Sequence, residues 1–543
     1  MNKAITVLVS VDSSSILMGA RHYKNYLTSL VNKYNLNSVV EILETGSFGR
    51  YDRGVLMMLL PDNVVYSVSS EKDVELFVTE QLLKGRRVDD LIVKDFVPDT
   101  AVETRVVSEE MRVVLRNAGR INPRDIEEYI ARGGYQSLGK ALGMDPADVI
   151  AEVKKSNLRG RGGAGFPTGL KWEFTSKTEA PEKYVVCNAD EGEPGTFKDR
   201  LIMEGDPHLV IEGMAIAAYA SGASKGYVYI RGEYFESVDN LRNAIKQAYE
   251  YGLLGESILG TGFSFDLSVR LGAGAYVCGE ETALIESIEG KSGKPRLRPP
   301  YPPVKGVHQL PTVVNNVETF ACVPSIIMNG ADWFKSIGTP SSPGTKVFSL
   351  CGNLVKRGIV EVPMGTTTAD LIYSFGGGIA GGRALKMVQT GGAAGTFITP
   401  DEISHPLDFD SMRNHDVALG SGVILAIDET HCAVDVGLNL MEFFAHESCG
   451  KCTPCREGTR MIIHLLGEIS KGRGTPEMTD QLYNIADTME DSSFCGLGQS
   501  VPVPLRSLLD RFREEIKAHM GADSCPTGVC RFKKPAKQKA KRW

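Results

Sequence analysis

The sequence predicts a multidomain α/β protein that ends in a helical region carrying cysteines. Three observations support this. The chain has 543 residues, and at roughly 150 residues per domain that length favours three or four domains. Strand-like apolar runs alternate with segments of helical spacing over the first half of the chain, the pattern of layered α/β folds. Seven of the 11 cysteines lie after residue 430, a clustering that points to a metal site rather than a disulfide framework.

The elements follow in chain order. Residues 1–95 read as a small α/β unit, with strands at 4–11, 39–44, 54–60 and 64–68 and helices at 16–34 and 73–83. A charged connector spans 96–140, with helical spacing at 123–131 and 138–142. Strands at 184–187 and 226–230 then alternate with helices at 208–220 and 238–249, and the proline-rich stretch 295–311 is irregular. Short strands at 346–352 and 359–363 and a helix near 368–375 make a small α+β module. Spacing is helical from 433 to 520, broken at 448–457 and 491–504. The tail 531–543 carries seven Lys/Arg and no acid, the composition of a solvated docking tail.

Composition bounds the function. Hydrophobic residues are 42% and charged residues 23%, an ordinary soluble composition. A net charge of −7 and a pI near 5.9 argue against nucleic-acid binding. No apolar run reaches the roughly 18 residues of a membrane span, and residues 1–11 read as a first strand and not a signal peptide, so a cytoplasmic location is expected. Glycine is the outlier: 58 of 543 residues, about 11% against roughly 7% in average usage.

Cys449, Cys452 and Cys455 form a CxxCxxC run, and Cys495 follows after 39 residues. Three close thiolates plus one distant thiolate suit the four corners of a [4Fe–4S] cluster. Zinc is the alternative for four thiolates, although zinc sites more often use two separated CxxC pairs. Cys432, His519, Cys525 and Cys530 remain, with a mixed Cys/His spacing that suits zinc; free thiols on an exposed tail are the alternative.

Three glycine-rich or acidic loops stand out. Gly160, Gly162, Gly163 and Gly165 lie within six residues, with Arg159 and Arg161 beside them, and such a loop can cradle a phosphate. It matches GxGxxG literally, but no clear strand leads into it, so alone the match is weak. Asn188, Asp190, Glu191 and Glu193 follow a strand, where carboxylates can bind ribose hydroxyls. A third loop holds Gly272, Gly274, Tyr276, Gly279, Glu280 and Glu281. Together they favour a large nucleotide or flavin site over three unrelated surface loops.

Segments 160–167, 188–195, 272–282, 311–318, 448–456 and 493–496 resemble the family of NADH-binding, 51-kDa-type flavoproteins of respiratory complex I. The same family supplies diaphorase subunits of NAD-linked soluble hydrogenases and formate dehydrogenases. The resemblance covers about residues 140–520. It implies a Rossmann-like FMN/NADH domain at 141–333, a ubiquitin-like β-grasp domain at 334–420, and a helical [4Fe–4S] domain at 421–520 ahead of a cysteine-containing basic tail at 521–543. It implies FMN with its phosphate and ribityl near Gly160, Arg161, Gly162, Gly163, Lys171, Asn188, Asn315, Asn316 and Thr319. Asp190, Glu191, Tyr276, Gly279, Glu280 and Glu281 would line the flavin ring side, and NADH would stack against Phe166, Phe174 and Tyr301. Glu193 and Glu281 would hold the nicotinamide end; on the residues alone, Phe166 and Phe174 read as core packing.

The implied activity is hydride transfer between NAD(H) and FMN, followed by single-electron transfer through the cluster. The resemblance favours a soluble hydrogenase or formate dehydrogenase module, with a complex I module and a non-catalytic scaffold as alternatives. Implied partners are a small thioredoxin-like [2Fe–2S] subunit and a larger iron–sulfur or catalytic subunit. Two departures matter. In longer relatives a thioredoxin-like N-terminal domain holds a [2Fe–2S] cluster on four cysteines, but here no cysteine precedes Cys187, and Ser10, Ser15, Ser47 and Tyr51 fall at the ligand positions. Serine is a poor substitute for thiolate toward iron, so a degenerate domain without a cluster is expected. The missing two-cluster ferredoxin domain after Cys530 weakens an electron-bifurcating role.

Overall fold

The structure is a computed structural model that describes residues 4–94, 111–521 and 524–532. Most of the basic tail and the first part of the connector lie outside the described residues.

The first unit is a four-stranded sheet of β1 (Ile5–Ser10), β2 (Val40–Thr45), β3 (Val55–Leu60) and β4 (Val64–Val68), in the order β2-β1-β3-β4. β1 runs parallel to β2 and antiparallel to β3. Successive side chains of a strand face opposite ways. Val7 and Val9 therefore enter the core under helix Ala20–Lys33, while Leu8 joins Phe48 and Met58 on the other face. Ser10, Ser15 and Ser47, at the expected ligand positions, are buried, and the Ser10 hydroxyl donates to Asp12 at 2.9 Å. The unit docks beside them. The Ser13 backbone N–H and hydroxyl donate to Glu204 at 2.9 and 2.5 Å. Arg200 donates to the Ser14 hydroxyl at 3.1 Å. A side chain on Gly46 would meet Gly205 Cα at 2.6 Å, so the two backbones touch.

The second unit is a wholly parallel sheet of β5 (Tyr184–Ala189), β6 (Lys225–Arg231), β7 (Asp266–Gly272) and β8 (Thr312–Asn316), ordered β7-β6-β5-β8. Sequence reasoning misses β7 and β8. β7 is an edge strand with mostly exposed or half-buried residues, and β8 is only five residues long beside the proline-rich stretch. β5 is covered on both faces, which is why it reads as a continuous apolar run. Val185, Cys187 and Ala189 pack against the buried helix Pro207–Ser221, and Tyr184 and Val186 join the core of the helical unit.

The third unit is a mixed sheet of β9 (Thr345–Gly352), β10 (Gly358–Pro363), β11 (Leu385–Thr390), β12 (Thr396–Ile398) and β13 (Val423–Asp428), ordered β10-β9-β13-β11-β12. β13 is its central strand and lies beyond residue 420, so this unit extends past the boundary expected from the sequence. Helices Ala433–Glu447, Thr453–Ile469, Pro476–Ser492 and Pro502–Arg511 complete the chain around a shared core of Met441, Leu466, Met489 and Leu508.

A buried ion network joins the second and third units. Lys198 Nζ lies 2.6 Å from Asp199 and 3.0 Å from Glu318, and Lys346 Nζ of β9 lies 2.6 Å from the same Glu318 carboxylate. All four side chains are at most 5% exposed. The second Glu318 oxygen accepts the Val347 N–H at 2.9 Å. Despite the burial penalty, Lys346 and Lys198 hold Glu318 below the usual carboxylate range. Removing one member of such a network leaves uncompensated buried charge. Glu318→Ala is expected to cost about 3–5 kcal/mol, read as a lower urea midpoint. A midpoint equal to that of the parent protein would contradict the assignment.

Candidate functional site

A cavity of about 940 Å³ opens beyond the C-terminal ends of β5 and β8. The chain leaves β5 toward β6 on one side and places β8 on the other, so this is a topological switch point of a parallel sheet, where ligands bind. Asn188 lies near the end of β5, Asn316 ends β8, and the Asn316 amide donates to the Asn188 carbonyl at 3.4 Å. Gly162 and Gly163 form the facing wall. A side chain on Gly162 would press on Asn316 Cβ at 3.0 Å, and Gly163 has φ +129°, a conformation that favours glycine. The loop follows a helix, Pro146–Lys155, and not a strand. It is therefore a bare-backbone cradle and not the strand-led dinucleotide fingerprint.

The acidic loop supplies the floor. The Asp190 carboxyl is buried, and neither of its oxygens has a hydrogen-bond partner among the described residues. Burial pushes its pKa up to about 7. Glu191 accepts the N–H groups of Asp199 and Arg200 at 2.9 and 3.0 Å, capping the start of helix Lys198–Gly205, and burial raises it to about 7. Glu193 accepts the hydroxyls of Ser421 at 2.5 Å and Thr196 at 3.3 Å, with Tyr276 OH at 3.4 Å, and burial raises its pKa. Tyr276, Gly279 and Glu280 line the same cavity.

The third unit closes the cavity, which sequence reasoning misses. Gly391, Ala394, Gly420 and Ser421 line it, as do Thr196, Lys198 and Asp199. The available signals were the Gly-Gly-Ala-Ala-Gly run at 391–395 and the Gly-Ser-Gly at 420–422.

Other expected residues sit elsewhere. Arg161 is fully buried behind the glycine loop, its guanidinium donating to the Pro343 carbonyl at 2.6 Å, and its backbone N–H donates to Thr319 Oγ1 at 2.9 Å. The Arg161 side chain therefore anchors the loop to the third unit. Asn315 accepts the Trp172 indole N–H at 2.9 Å, and Gly160 pairs with Phe166 across the loop base. Lys171 lies 3.0 Å from Glu281, which lies 3.2 Å from Arg298, and Arg298 stands over the Tyr301 ring. This chain of contacts adjoins the cavity through Glu280, 3.7 Å from Arg298. Phe166, Phe174 and Tyr301 are 43, 49 and 54% exposed, which excludes core packing for the two phenylalanines.

Cys449, Cys452, Cys455 and Cys495 line a second, smaller cavity with Pro295, Lys451 and Phe494. Cys452 and Cys495 each occupy the N-cap position of a helix. The Phe494 N–H donates to Cys452 Sγ at 3.5 Å, and Ser448 Oγ lies 3.3 Å from Cys455 Sγ. A single zinc ion with bonds of about 2.3 Å would draw its sulfurs to roughly 3.8 Å apart. Cys432, His519, Cys525 and Cys530 bring their ligand atoms all within 4.8 Å of one another, close to that span. In the compact set, Cys432 Sγ lies 3.3 Å from His519 Nε2 and 3.5 Å from Cys530 Sγ. His519 Nδ1 bonds the Glu515 carbonyl at 2.8 Å, which leaves Nε2 free for a metal. Cys432, His519 and Cys525 are buried, so the free exposed thiols of the alternative reading are not found.

The donor sets fit the expected groups. An orphaned buried carboxyl and a side-chain-free loop suit a polar ring system and a phosphate, and four thiolates suit an iron–sulfur cluster. Residues 153–325 match the family model of the Nuo51 FMN-binding domain, and residues 435–519 match that of the NADH-ubiquinone oxidoreductase-F iron-sulfur binding region. The chain is 49% identical over 427 residues to HndC, an NADP-reducing hydrogenase subunit of Solidesulfovibrio fructosivorans, covering 79% of this chain and 87% of that one. It is 48% identical over 415 residues to the second F-type subunit of NADH-quinone oxidoreductase from Rhizobium meliloti, covering 76% and 99%. A crystal structure of NAD+-reducing [NiFe]-hydrogenase superposes with TM-score 0.67 and 30% identity, covering 96% of this chain and 86% of that one.

Asp190 sets a pH dependence. Its folded pKa lies near 7, above its usual 3.8, so between those values the folded chain holds a proton that the unfolded chain has lost. This carboxyl therefore makes stability fall as pH rises from 4 to 7. Asp190→Asn is expected to gain stability over the parent across that window, by up to about 4 kcal/mol, in urea titrations of the cofactor-free protein at pH 5 and pH 8. Parallel pH profiles for the two proteins would show that Asp190 is not held protonated.

Proposed function

The chain belongs to the family of F-type NADH-quinone oxidoreductase subunits, and we propose that it is the NADH-oxidising and NAD+-reducing diaphorase component of a soluble NAD-linked hydrogenase or formate dehydrogenase. It is an oxidoreductase subunit that binds FMN and a [4Fe–4S] cluster. The observation that carries the finer reading is the N-terminal unit fused to the flavin domain, together with a likeness to the NAD+-reducing hydrogenase chain over 96% of this chain. A complex I module is the second reading, supported by the 48% identity to an NADH-quinone oxidoreductase chain that is matched over 99% of its length.

Bound in the cavity, FMN supplies the conversion between hydride chemistry with NAD(H) and the single electrons an iron–sulfur cluster carries. Gly162 and Gly163 offer main chain to its phosphate, with Asn188 and Asn316 beside the ribityl. Asp190, unpaired and near half-protonation at neutral pH, can donate to or accept from the ring edge. Phe166, Phe174 and Tyr301 offer exposed aromatic faces to the nucleotide. Lys171, Glu281 and Arg298 form an ion chain beside them, and Glu193, steadied by Ser421, faces the cavity with Glu281 at its margin. Acids near the ribose would repel a 2′-phosphate, so NADH is the favoured nucleotide.

The CxxCxxC set with Cys495 holds the cluster, and Cys432, His519, Cys525 and Cys530 hold one zinc ion. The N-terminal unit is a thioredoxin-like docking module without iron, and the third unit is a β-grasp domain. The partners are a small thioredoxin-like [2Fe–2S] subunit and a larger iron–sulfur or catalytic subunit.

The test is metal and flavin analysis of the full chain after anaerobic reconstitution with iron, sulfide, zinc and FMN. Four irons per chain are expected, with none added by the N-terminal unit, and NADH but not NADPH bleaches the visible bands. Six irons would refute the docking role. Colourless protein, or bands unmoved by NADH, would refute the redox assignment. Cys455→Ser is expected to lose iron and keep zinc and FMN, while Cys525→Ser loses zinc and keeps iron. Zinc retained in Cys525→Ser would overturn that site.

A further inference from the structure

We infer that Val277 and Leu497 form a two-side-chain septum between the large cavity and the cysteine pocket, and that Glu447 is a positioning residue that holds it in register. Both residues line both cavities. Both are buried, at 6 and 7% exposure. Val277 comes from the turn Tyr276–Gly279, whose ends face the large cavity. Leu497 follows Cys495 by two residues in the short helix Gly496–Ser500. One residue thus stands close to a cluster ligand in the chain and also lines the large cavity.

The two walls are fastened together. The Tyr276 N–H, one residue before Val277, donates to Glu447 at 2.8 Å, and Glu447 lies two residues before Cys449. On the other side, Lys451 Nζ donates to the Pro295 carbonyl at 2.6 Å and stands over the Phe494 ring at 4.1 Å. The cysteine loop and the cavity loop therefore form one body, and the gap between the two sites cannot widen without breaking these bonds.

The inference rests on the FMN and cluster reading above. Its physical content is selectivity between two outlets for the same electrons. In the productive outlet, oxidation of one NADH to NAD+ releases one proton to solvent and sends two electrons, one at a time, across the septum to the cluster and on to a one-electron acceptor of the partner subunit. In the leak, dioxygen takes both electrons: NADH, a proton and O₂ become NAD+ and H₂O₂. Two apolar side chains keep the sites adjacent while excluding water and dioxygen from the space between them. Truncating either joins the cavities, because cores relax only partly around deleted methyl groups.

The test compares Leu497→Ala, Val277→Ala, Leu497→Met and Glu447→Ala in the reconstituted full chain, with Leu466→Ala as a core truncation that touches neither cavity. Two readouts are used: hydrogen peroxide formed per NADH, and the decay of iron–sulfur absorbance in air without NADH. The Ala variants at 277, 497 and 447 are expected to raise both severalfold with FMN and iron content at purification unchanged. Leu497→Met restores parent values, and Leu466→Ala leaves them unmoved. Parent-like peroxide yield and air stability in the three variants, in a protein whose bands NADH still bleaches, would overturn the septum alone. Equal effects in Leu466→Ala would also overturn it, by showing a general loss of packing. If the parent itself does not respond to NADH, the function reading falls and the septum with it.

Discussion

The Glu318 carboxylate, buried between Lys198 and Lys346, is the interaction on which the site depends. It sits in the first turn of the helix that follows β8, Lys198 begins the helix that follows the acidic loop, and Lys346 belongs to the third sheet. One anion therefore fixes the angle between two units whose loops face each other across the cavity. The arrangement is expensive in desolvation, and it makes sense only as geometry: a buried ion pair specifies orientation better than it adds stability. Burial and the neighbouring Lys198 bring Lys346 down to about 8, while Lys198 is raised and Glu318 lowered, each toward its charged form.

The same principle runs through the acidic loop. Asp190, Glu191 and Glu193 all hold their carboxyls away from water and all are raised by it, yet they differ in partners. Glu191 is satisfied by a helix N-terminus and Glu193 by hydroxyls of two units, so both are structural in the resting chain. Asp190 alone lacks a partner, and an unpaired buried carboxyl is a cost that a ligand can relieve. The chemistry a ligand meets is therefore concentrated at one atom pair, while its neighbours hold the shape.

Much of this was legible in the sequence, for identifiable reasons. The cysteine sets were readable because metal ligands are constrained by spacing, and the strands β5 and β6 because a strand covered on both faces is apolar throughout. β7 and β8 were not, because an exposed edge strand and a five-residue strand carry weak local signals, and β11, β12 and the apolar β13 were missed with the true extent of the third unit. Arg161 illustrates the harder failure. A cation in a glycine loop reads as an anion ligand, but only the third unit's Pro343 carbonyl explains where its guanidinium goes. The third unit's share of the cavity was hidden for the same reason: small residues at 391–395 and 420–422 announce a turn, not the loop they lie against.

The buried serines of the N-terminal unit carry a consequence for charge. Asp12 accepts bonds from the Ser10 hydroxyl and from the N–H groups of Ser14 and Ser15. Burial, and after it the Asp12 charge, push the Tyr51 hydroxyl up. Asp12 is thus buried and committed to bonds within the unit. A thiolate introduced at Ser10 or Ser15 would set a second anion beside that carboxylate, next to the seam where Ser13 and Ser14 meet Glu204 and Arg200.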